Sequence, residues 1–284
     1  MTAGADCIAI SEFEFQKFRD FFYRRTGISF GDSKRYYVDK RLLERIGKSG
    51  MESFERYFAR LRHDVGGEIE QLISLFTVNE TYFYREEHQF DCLANHILPE
   101  LTSHLPHGAR IRIWSLPCST GEEPYSIALY LLENWPEIED YEVELLASDI
   151  DTAALAAART GIYTARALHR LPRDVVQRYF SKLDADRFRL SNTIRQAVNF
   201  SQVNASDPHA MQPFAEIDVI FCRNMLIYFD DRSRQGTVDA FYESLCEGGF
   251  VCVGHSESMS RISSLFRVRR FPQGVVYQKP GDYR

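Results

Sequence analysis

The chain has 284 residues, a formal net charge of −6 and six cysteines without paired spacing. Scattered cysteines argue against a disulfide framework or a zinc site and fit a reducing cytoplasm. No stretch approaches the ~18 uninterrupted apolar residues of a membrane-spanning helix, and the first ten residues lack the features of a secretory signal. We therefore expect a cytoplasmic protein with one large domain or two smaller ones.

The net charge hides an asymmetry along the chain. Between Ser11 and Arg62 there are 13 Lys and Arg against 8 Asp and Glu, whereas the 222 residues after Arg62 carry −10. A segment of one sign joined to a body of the other indicates two modules with different partners. The alternative is that the early helices simply hold many solvated Lys and Arg side chains.

The first ninety residues follow helical patterns. Ser11 is placed to cap a first helix and Gly27 to end it. The apolar residues near helical spacing in this segment are Phe13, Phe18, Phe21 and Phe22. Segments 51–62 and 68–76 predict two further amphipathic helices, and no strand pattern appears before Arg110.

A second helix is predicted from about residue 33 to about residue 48. Asp32 or Ser33 can cap it, and Gly47 or Gly50 can end it. Its apolar stripe consists of Val38, Leu42 and Ile46. A second set of residues, which we call the basic ridge, consists of Lys34, Arg41, Arg45 and Lys48. We expect the basic ridge to be exposed and free to meet an acidic partner.

After Arg110 strand and helix patterns alternate, and the chain closes with two strand-like runs joined by a short turn. This order predicts a Rossmann-like, class I methyltransferase sheet with a terminal antiparallel pair. Residues 187–204 alternate with period two and predict a small antiparallel β-subdomain inserted at about 185–203. The predicted domains are a helical one over residues 1–90 and a methyltransferase one over residues 91–284.

The turn after the first strand combines small residues with two acids. Ser115, Cys118, Ser119, Thr120 and Gly121 are followed by Glu122 and Glu123. Ligands of open α/β sheets bind beyond the carboxyl ends of the strands, and acids there repel a pyrophosphate but attract an ammonium or accept from hydroxyls. The turn therefore favours S-adenosylmethionine over NAD or ATP. The alternative is two solvated acids that open a helix.

Three other stretches carry mixed polar chemistry. Asp149 ends the second strand, where an acid can bind ribose hydroxyls, although Asp151 is an alternative that also fits a helix cap. Arg85 follows a run of aromatic and polar residues at the predicted domain junction, where it can hold a carboxylate. Arg223, Asn224 and Tyr228 follow the third parallel strand. Asparagine and tyrosine near a methyl donor also suit a nucleic-acid amino-methyltransferase.

The order "TVNETYFYRE … WSLPCSTGEEPYSIA … ASDIDT … IFCRNMLIYFD … GHSES" resembles the bacterial chemotaxis-receptor methyltransferase family, CheR, over nearly the whole chain. The resemblance implies a helical N-terminal domain, a methyltransferase domain with an inserted β-subdomain, and methyl transfer from S-adenosylmethionine to glutamates of chemoreceptor cytoplasmic helices. The products are a γ-glutamyl methyl ester and S-adenosylhomocysteine, and no metal is expected.

The resemblance also assigns roles by position. The cofactor contacts that it implies are Asn79, Thr81, Arg85, Glu123, Asp149, Asn204, Ala205, Arg223 and Asn224. Arg85 and Tyr228 would act at the reacting centre, and the basic ridge would recognise the receptor bundle. Some family members dock a receptor C-terminal peptide on the β-subdomain. We expect a monomer that binds neither nucleic acid nor membrane.

Two alternatives to this function differ in what they require. A nucleic-acid amino-methyltransferase would want an Asn/Asp-Pro-Pro-aromatic turn and a basic α/β face, and this chain has no such proline pair. An inactive scaffold that only binds the cofactor would be expected to lack Arg85 or Tyr228, and both are present. The resemblance and the residue chemistry therefore agree on an active receptor methyltransferase.

Overall fold

The chain divides into two compact units in a computed structural model that describes residues 9–63 and 66–281. The helical unit comprises the described residues up to Thr77 together with Tyr228–Asp230, and the α/β unit comprises the rest. The division at Thr77 precedes the predicted boundary at residue 90, because Phe83 and Phe90 are buried in the core of the α/β unit. The predicted absence of a secretory signal concerns residues that lie mostly outside the described ranges.

The helical unit contains the helices that the sequence predicts. They are α1 Glu12–Thr26, α2 Arg35–Lys48, α3 Phe54–Arg62 and α4 Glu68–Phe76. Ser11 and Glu14 form a reciprocal capping box at the start of α1, and Gly27 ends it in the left-handed conformation at φ 72°. These side chains satisfy backbone groups that a helix terminus leaves unpaired, so the predicted cap and stop are both confirmed.

The core of the helical unit takes one residue from each turn of α1 and α2. Phe15, Phe18 and Phe22 are at most 1% exposed, whereas Phe13 is 72% exposed. Phe13 therefore does not belong to the buried stripe of α1, which begins at Phe15. The stripe Val38, Leu42 and Ile46 is fully buried, as predicted.

The start of α2 differs from the predicted cap. A 3-10 turn spans Asp32–Lys34, so Lys34 occupies the N-cap position and no side chain caps the helix. Asp32 pairs instead with Arg19 at 2.9 Å. Ser49 ends the helix, between the two glycines that the sequence offered as stops.

Half of the basic ridge is packed rather than exposed. The Arg45 guanidinium donates two hydrogen bonds to the Glu68 carboxylate, at 2.9 and 2.8 Å. The Tyr57 hydroxyl donates to the same carboxylate at 2.7 Å, and the Glu68 side chain is only 5% exposed. Arg41 donates to the Leu75 carbonyl at 3.0 Å. The expectation of exposure is wrong for these two arginines, because acceptors on or next to α4 engage them.

Lys34 and Lys48 are the members of the basic ridge that remain exposed. Lys48 makes an i,i+4 pair with Glu44 at 2.6 Å, and more than 40% of each side chain is exposed. Such exposed pairs contribute little to stability and leave the cations accessible. These two lysines are therefore what the basic ridge can offer to a partner.

The α/β unit is built on a seven-stranded sheet with the order β6-β2-β1-β7-β8-β10-β9. The strands of this unit are β1 Arg110–Ser115, β2 Glu142–Asp149, β3 Ile162–Thr164, β4 Phe180–Lys182, β5 Arg187–Leu190, β6 Val198–Gln202, β7 Ile217–Cys222, β8 Leu245–Val253, β9 Arg267–Phe271 and β10 Gly274–Gln278. The first five strands of the order run parallel, and β10 and β9 add an antiparallel edge. The predicted Rossmann-like methyltransferase fold is confirmed.

Most helices of the α/β unit connect one strand to the next. The helices of this unit are α5 His88–Cys92, α6 Leu98–Thr102, α7 Glu122–Asn134, α8 Thr152–Thr160, α9 Arg173–Tyr179, α10 Asn192–Gln196, α11 Pro208–Met211 and α12 Asp231–Ser244. A π-helical segment, Leu93–Ile97, joins α5 to α6. The chain runs outward in opposite directions from β1 and β7, so the ligand crevice of such a sheet is expected at the carboxyl ends of these two strands. No helix within the described ranges is long and apolar enough to cross a membrane.

A separate three-stranded antiparallel sheet has the order β3-β5-β4. Only Arg187–Leu190 of the predicted insertion at 185–203 belongs to it. Residues 192–196 form α10, and Val198–Gln202 pairs parallel with β2 at the edge of the main sheet. An edge strand that is half exposed alternates like an antiparallel one, so periodicity alone could not separate these two cases. The small sheet is inserted earlier, with its strands between residues 162 and 190.

We predict that the buried ion pair of the helical unit stabilises it measurably. Glu68→Gln leaves Arg45 facing a neutral amide and should lower the free energy of unfolding by about 2 kcal/mol. Urea unfolding followed by circular dichroism measures the change. Glu44→Gln, in the exposed pair with Lys48, is the matched control and should change it by less than about 0.5 kcal/mol. Equal unfolding midpoints for the two variants would contradict the account of the pair.

Candidate cofactor-binding site

A cavity opens at the carboxyl ends of β1 and β7, within the α/β unit. It encloses about 490 Å³ including its open mouth. Its lining residues are Val78, Glu80, Thr81, Tyr82, Arg85, Phe90, Pro117, Cys118, Ser119, Glu123, Arg223 and Asn224. Five of these, Thr81, Arg85, Glu123, Arg223 and Asn224, are cofactor contacts that the sequence predicts. The cavity therefore lies where the fold predicts a ligand.

Residues of α8 and β3 hold the turn after β1 in place. Gly121 has a φ of 95°, and a Cβ there would lie 2.9 Å from Ala158 Cβ and 3.0 Å from Tyr163 Oη. The Tyr163 hydroxyl donates to the Thr120 carbonyl at 2.8 Å. Glycine is required at this position both by the backbone conformation and by the close neighbours. The turn consequently presents backbone and small side chains to the cavity.

Asp149 lies buried beneath this turn. One of its oxygens accepts from Ser119 N at 2.8 Å and the other from Asp151 N at 2.9 Å. Burial raises the pKa of Asp149 to about 6. Each carboxylate oxygen has a further lone pair, so this side chain can also accept a hydrogen bond from a ligand hydroxyl.

Asn79 bridges the turn to the start of α8. Its amide nitrogen donates to Asp151 at 2.8 Å, and its oxygen accepts from the Ser119 hydroxyl at 3.1 Å. Asp151 caps α8 by accepting from Ala153 N and Ala154 N. Of the two acids that the sequence offered for ribose, Asp151 thus serves as the helix cap, which leaves Asp149 as the candidate ligand group.

Arg223 is buried at the centre of a charge network. Its Nη1 donates to Glu123 at 2.9 Å, and its Nη2 donates to the Arg85 carbonyl at 2.5 Å and lies 3.4 Å from Glu86. The guanidinium also lies over the Phe90 ring, 5.6 Å from its centroid. Arg223 therefore joins three separate segments of the cavity wall.

The two acids beside Arg223 are affected differently. Glu123 accepts from the Ser115 hydroxyl at 2.8 Å, yet burial outweighs its partners and raises its pKa. Burial also acts on Glu86, but there Arg223 and His255 outweigh it and lower the pKa. Both oxygens of Glu123 are engaged within the protein, so its first task is to hold Arg223.

Arg85 stands between two residues with left-handed backbone. Tyr84 and Glu86 have φ values of 58° and 57°. Each such non-glycine residue costs of order 1–3 kcal/mol and persists only where its surroundings determine it. Tyr84 N donates to the Ser126 hydroxyl at 3.0 Å, and Arg85 donates to the Glu80 carbonyl at 2.7 Å. These bonds hold the Arg85 side chain in the cavity wall.

Sequence reasoning missed Glu257, which shapes the loop after β7. Its carboxylate accepts from Asn224 N at 2.7 Å, Gly254 N at 3.0 Å and Ile227 N at 3.3 Å. Asn224 itself has a φ of 57°. Burial raises the pKa of Glu257. The residue stood inside the quoted GHSES run, but nothing in the sequence indicated that its side chain turns inward. The sequence also gave no indication that Glu86 is a partner of Arg223.

Five of the predicted cofactor contacts and catalytic residues lie outside the cavity lining: Asn79 and Asp149, whose contacts are given above, and Asn204, Ala205 and Tyr228. Asn204 accepts from Ser206 N at 3.0 Å in a turn after β6, and Ala205 is buried with its carbonyl bonded to Thr237 at 2.9 Å. Tyr228 belongs to the helical unit, where its carbonyl accepts from Ser29 N at 3.2 Å. The roles of these last three residues, like those of the other predicted site residues, stay predictions.

The polar groups of the cavity suit S-adenosylmethionine. The cavity combines acceptors for hydroxyls and an ammonium with a buried arginine, whose Nε atom has no partner among the described residues. Acids at this turn disfavour a pyrophosphate. Within the described ranges no group of three or more His, Cys, Asp or Glu side chains is arranged to hold a metal ion.

Comparison with known proteins gives matches over both units. The family model "CheR methyltransferase, SAM binding domain" matches residues 79–275, and "CheR methyltransferase, all-alpha domain" matches residues 14–77. The chain is 50% identical over 274 residues to chemotaxis protein methyltransferase 2 of Vibrio cholerae, covering 96% of this chain and 95% of that protein. It is 35% identical to the chemotaxis protein methyltransferase of Salmonella typhimurium, covering 92% and 89%.

We predict opposite effects of Asp149→Asn on stability and on binding. The raised pKa means that Asp149 contributes stability at low pH that is lost as pH rises through about 6. Between about pH 5 and about pH 7.5 the wild type should therefore lose roughly 1 kcal/mol relative to the variant. At the higher pH the variant should bind S-adenosylhomocysteine about tenfold more weakly, because one acceptor is gone.

Urea unfolding at both pH values and calorimetric titration with S-adenosylhomocysteine measure these two quantities. Asp239→Asn, an exposed residue of α12, is the matched control and should change neither. A pH-independent stability difference between Asp149→Asn and the wild type, together with unchanged affinity, would remove Asp149 from the site.

Proposed function

Because the chain belongs to the CheR methyltransferase family, we propose that it methylates glutamate side chains of chemoreceptor cytoplasmic domains. The chain is an S-adenosylmethionine-dependent methyltransferase of chemotaxis. Two observations support the formation of γ-glutamyl methyl esters on a receptor. They are membership of this family and a cavity built from paired charges. The cavity would orient the reacting groups and shelter them from water. No histidine is among its lining residues.

The cofactor supplies a methyl group bonded to a positively charged sulfur. We propose that the Asp149 carboxylate accepts hydrogen bonds from the ribose hydroxyls of the cofactor. Asn79, Thr81 and Arg85 would form the wall on the other side of the cofactor. Glu123 would hold Arg223 in place, and Asn224 would contribute from the loop after β7. Asn204 and Ala205 are proposed as contacts of the adenine end.

The substrate carboxylate needs no general base. A glutamate side chain has an unperturbed pKa of ~4.3, so it is ionised at neutral pH. One of its oxygens forms the new bond to the methyl carbon, and the electron pair of the broken carbon–sulfur bond stays on sulfur. Orientation of the reacting groups can be worth up to about 7–11 kcal/mol in favourable cases. The protein's task is therefore to position the carboxylate and exclude water.

Arg85 and Tyr228 are the proposed catalytic residues. The carboxylate loses its charge as it attacks, so a strong ion pair in the ground state would slow the reaction. Arg85 already donates to the Glu80 carbonyl, which leaves only part of its donor capacity for a substrate oxygen. Tyr228 would add one neutral hydrogen bond. Together they would steer the substrate oxygens without fixing the charge.

The receptor's helical bundle is the proposed partner. Lys34 and Lys48 are the exposed members of the basic ridge, and they would meet acidic receptor residues, mainly raising the rate of association. A receptor C-terminal peptide on the small sheet is a further proposed contact. We also propose that the chain acts as a monomer in the cytoplasm, without binding nucleic acid.

We predict base-labile methyl transfer to a chemoreceptor cytoplasmic fragment. The chain, incubated with labelled S-adenosylmethionine and the fragment, should transfer label that alkali releases as methanol, because the product is an ester. A fragment whose accepting glutamates are changed to alanine is the control and should stay unlabelled. Label that resists alkali, or label that persists in the control fragment, would contradict glutamate esterification.

The same assay examines the catalytic residues. Arg85→Lys and Tyr228→Phe should each lower the turnover number about tenfold or more, since lysine lacks the planar guanidinium fork and phenylalanine lacks the hydroxyl donor. Calorimetry should show a much smaller loss of affinity for S-adenosylhomocysteine. Turnover within about twofold of wild type in both variants would show that the assigned roles are wrong.

A further inference from the structure

Residues 161–197, which we call the insertion, contain the small sheet with α9 and α10 and carry positive charge within the acidic part of the chain that follows Arg62. Residues 161–197 contain eight Lys and Arg against three Asp and Glu, although the whole chain has a net charge of −6. The −10 of the chain after Arg62 therefore conceals a basic segment within it. A local charge of opposite sign to its surroundings attracts partners of the matching sign.

A well-ordered loop presents part of this charge. We call residues 165–173, from the end of β3 to the first residue of α9, the basic loop. Successive turn bonds stabilise it, from Ala167 N to Thr164 O at 3.0 Å and from Leu171 N to Leu168 O at 2.9 Å. Leu168 and Leu171 are buried and anchor it to the core. The residues that it turns outward are the arginines Arg166, Arg170 and Arg173 together with His169, and all are exposed.

The basic loop lies directly beside the cofactor cavity. Arg166 Nη2 contacts the Glu80 carboxylate at 2.9 Å, and the rings of His169 and Tyr82 have centroids 4.9 Å apart. Glu80 and Tyr82 both line the cavity. Phe83 N donates to the Ala167 carbonyl at 2.9 Å, which fixes the loop to this wall. The positive residues are thus held at one side of the site.

Two arginines of the basic loop have no acid partner among the described residues. Arg178 and Arg187, elsewhere in the insertion, pair with Glu133 and Asp184 at 2.5 and 2.6 Å. No such pair engages Arg170 or Arg173. Both side chains can therefore meet an external carboxylate without breaking an internal ion pair.

We propose that the basic loop binds acidic side chains that flank the methylated glutamate on the receptor helix. This inference rests on the proposed function, since a helix that presents several methyl-accepting glutamates is acidic around each of them. Arg170 and Arg173 would contact carboxylates one or two turns from the reacting one, and Arg166 would extend this contact to the cavity wall. The basic loop would thus select which glutamate enters the cavity, separately from the basic ridge of the helical unit.

The test reverses charge at the basic loop and at a matched position of the same insertion. Arg170→Glu with Arg173→Glu should raise the KM for a receptor cytoplasmic fragment about fivefold or more, because attraction becomes repulsion. The turnover number and the affinity for S-adenosylhomocysteine should stay within about twofold, since neither residue lines the cavity. Lys182→Glu with Arg189→Glu makes the same charge change on the small sheet and should leave the KM within about twofold.

The fragment used lacks the receptor's C-terminal segment, so a peptide that docks on the small sheet cannot contribute. An unchanged KM in the basic-loop variant, or an equal rise in the control variant, would overturn the inference. A variant that loses binding to a transfer RNA probe while its receptor KM is unchanged would overturn it in favour of a nucleic-acid surface. If the wild type leaves the fragment unlabelled, the proposed function fails first, and the inference falls with it.

Discussion

The site depends on one buried cation, Arg223, held between the carboxylates of Glu123 and Glu86. Its side chain is only 3% exposed, so its charge must be compensated inside the protein. The partners come from the start of α7 and from the segment after Tyr84, while Arg223 itself follows β7. Removing Arg223 would leave the buried carboxylate of Glu123 without its ion-pair partner, and removing Glu123 would leave Arg223 only the longer contact with Glu86. This network explains how segments far apart in the sequence form one cavity wall.

Two further buried acids organise the loops around that network. Asp149 and Glu257 each accept backbone N–H groups from the turns that follow neighbouring strands. A carboxylate that bonds several amides fixes loop backbone without a repeating hydrogen-bond pattern. Burial raises the pKa of both residues, so the site holds carboxyl groups that are less stable as anions than exposed ones. Asp149 and Glu257 thus support the loops that shape the ligand site.

Local patterns predicted the helices, the strands and the class of the sheet, because periodicity and capping are properties of neighbouring residues. The cap at Ser11 and the buried stripe from Val38 to Ile46 are examples. The predictions that failed concern residues whose positions depend on tertiary partners. Arg45 is packed rather than exposed because Glu68 faces it, and the strand after residue 197 belongs to the main sheet. Residues beside the cavity were found through motifs, whereas Glu257 was not, since two of the three amides that it accepts from, those of Asn224 and Ile227, are distant in the sequence.

The most direct measurement is the affinity of an Arg223→Lys variant for S-adenosylhomocysteine, determined by calorimetry beside its urea unfolding. Lysine keeps the charge but cannot bond Glu123 and the Arg85 carbonyl together in the same geometry. The account predicts a loss of affinity of about thirtyfold or more, with the fold retained, while Arg232→Lys on the exposed start of α12 binds like the wild type. An Arg223→Lys variant that folds and binds S-adenosylhomocysteine as tightly as the wild type would contradict the central role of this network.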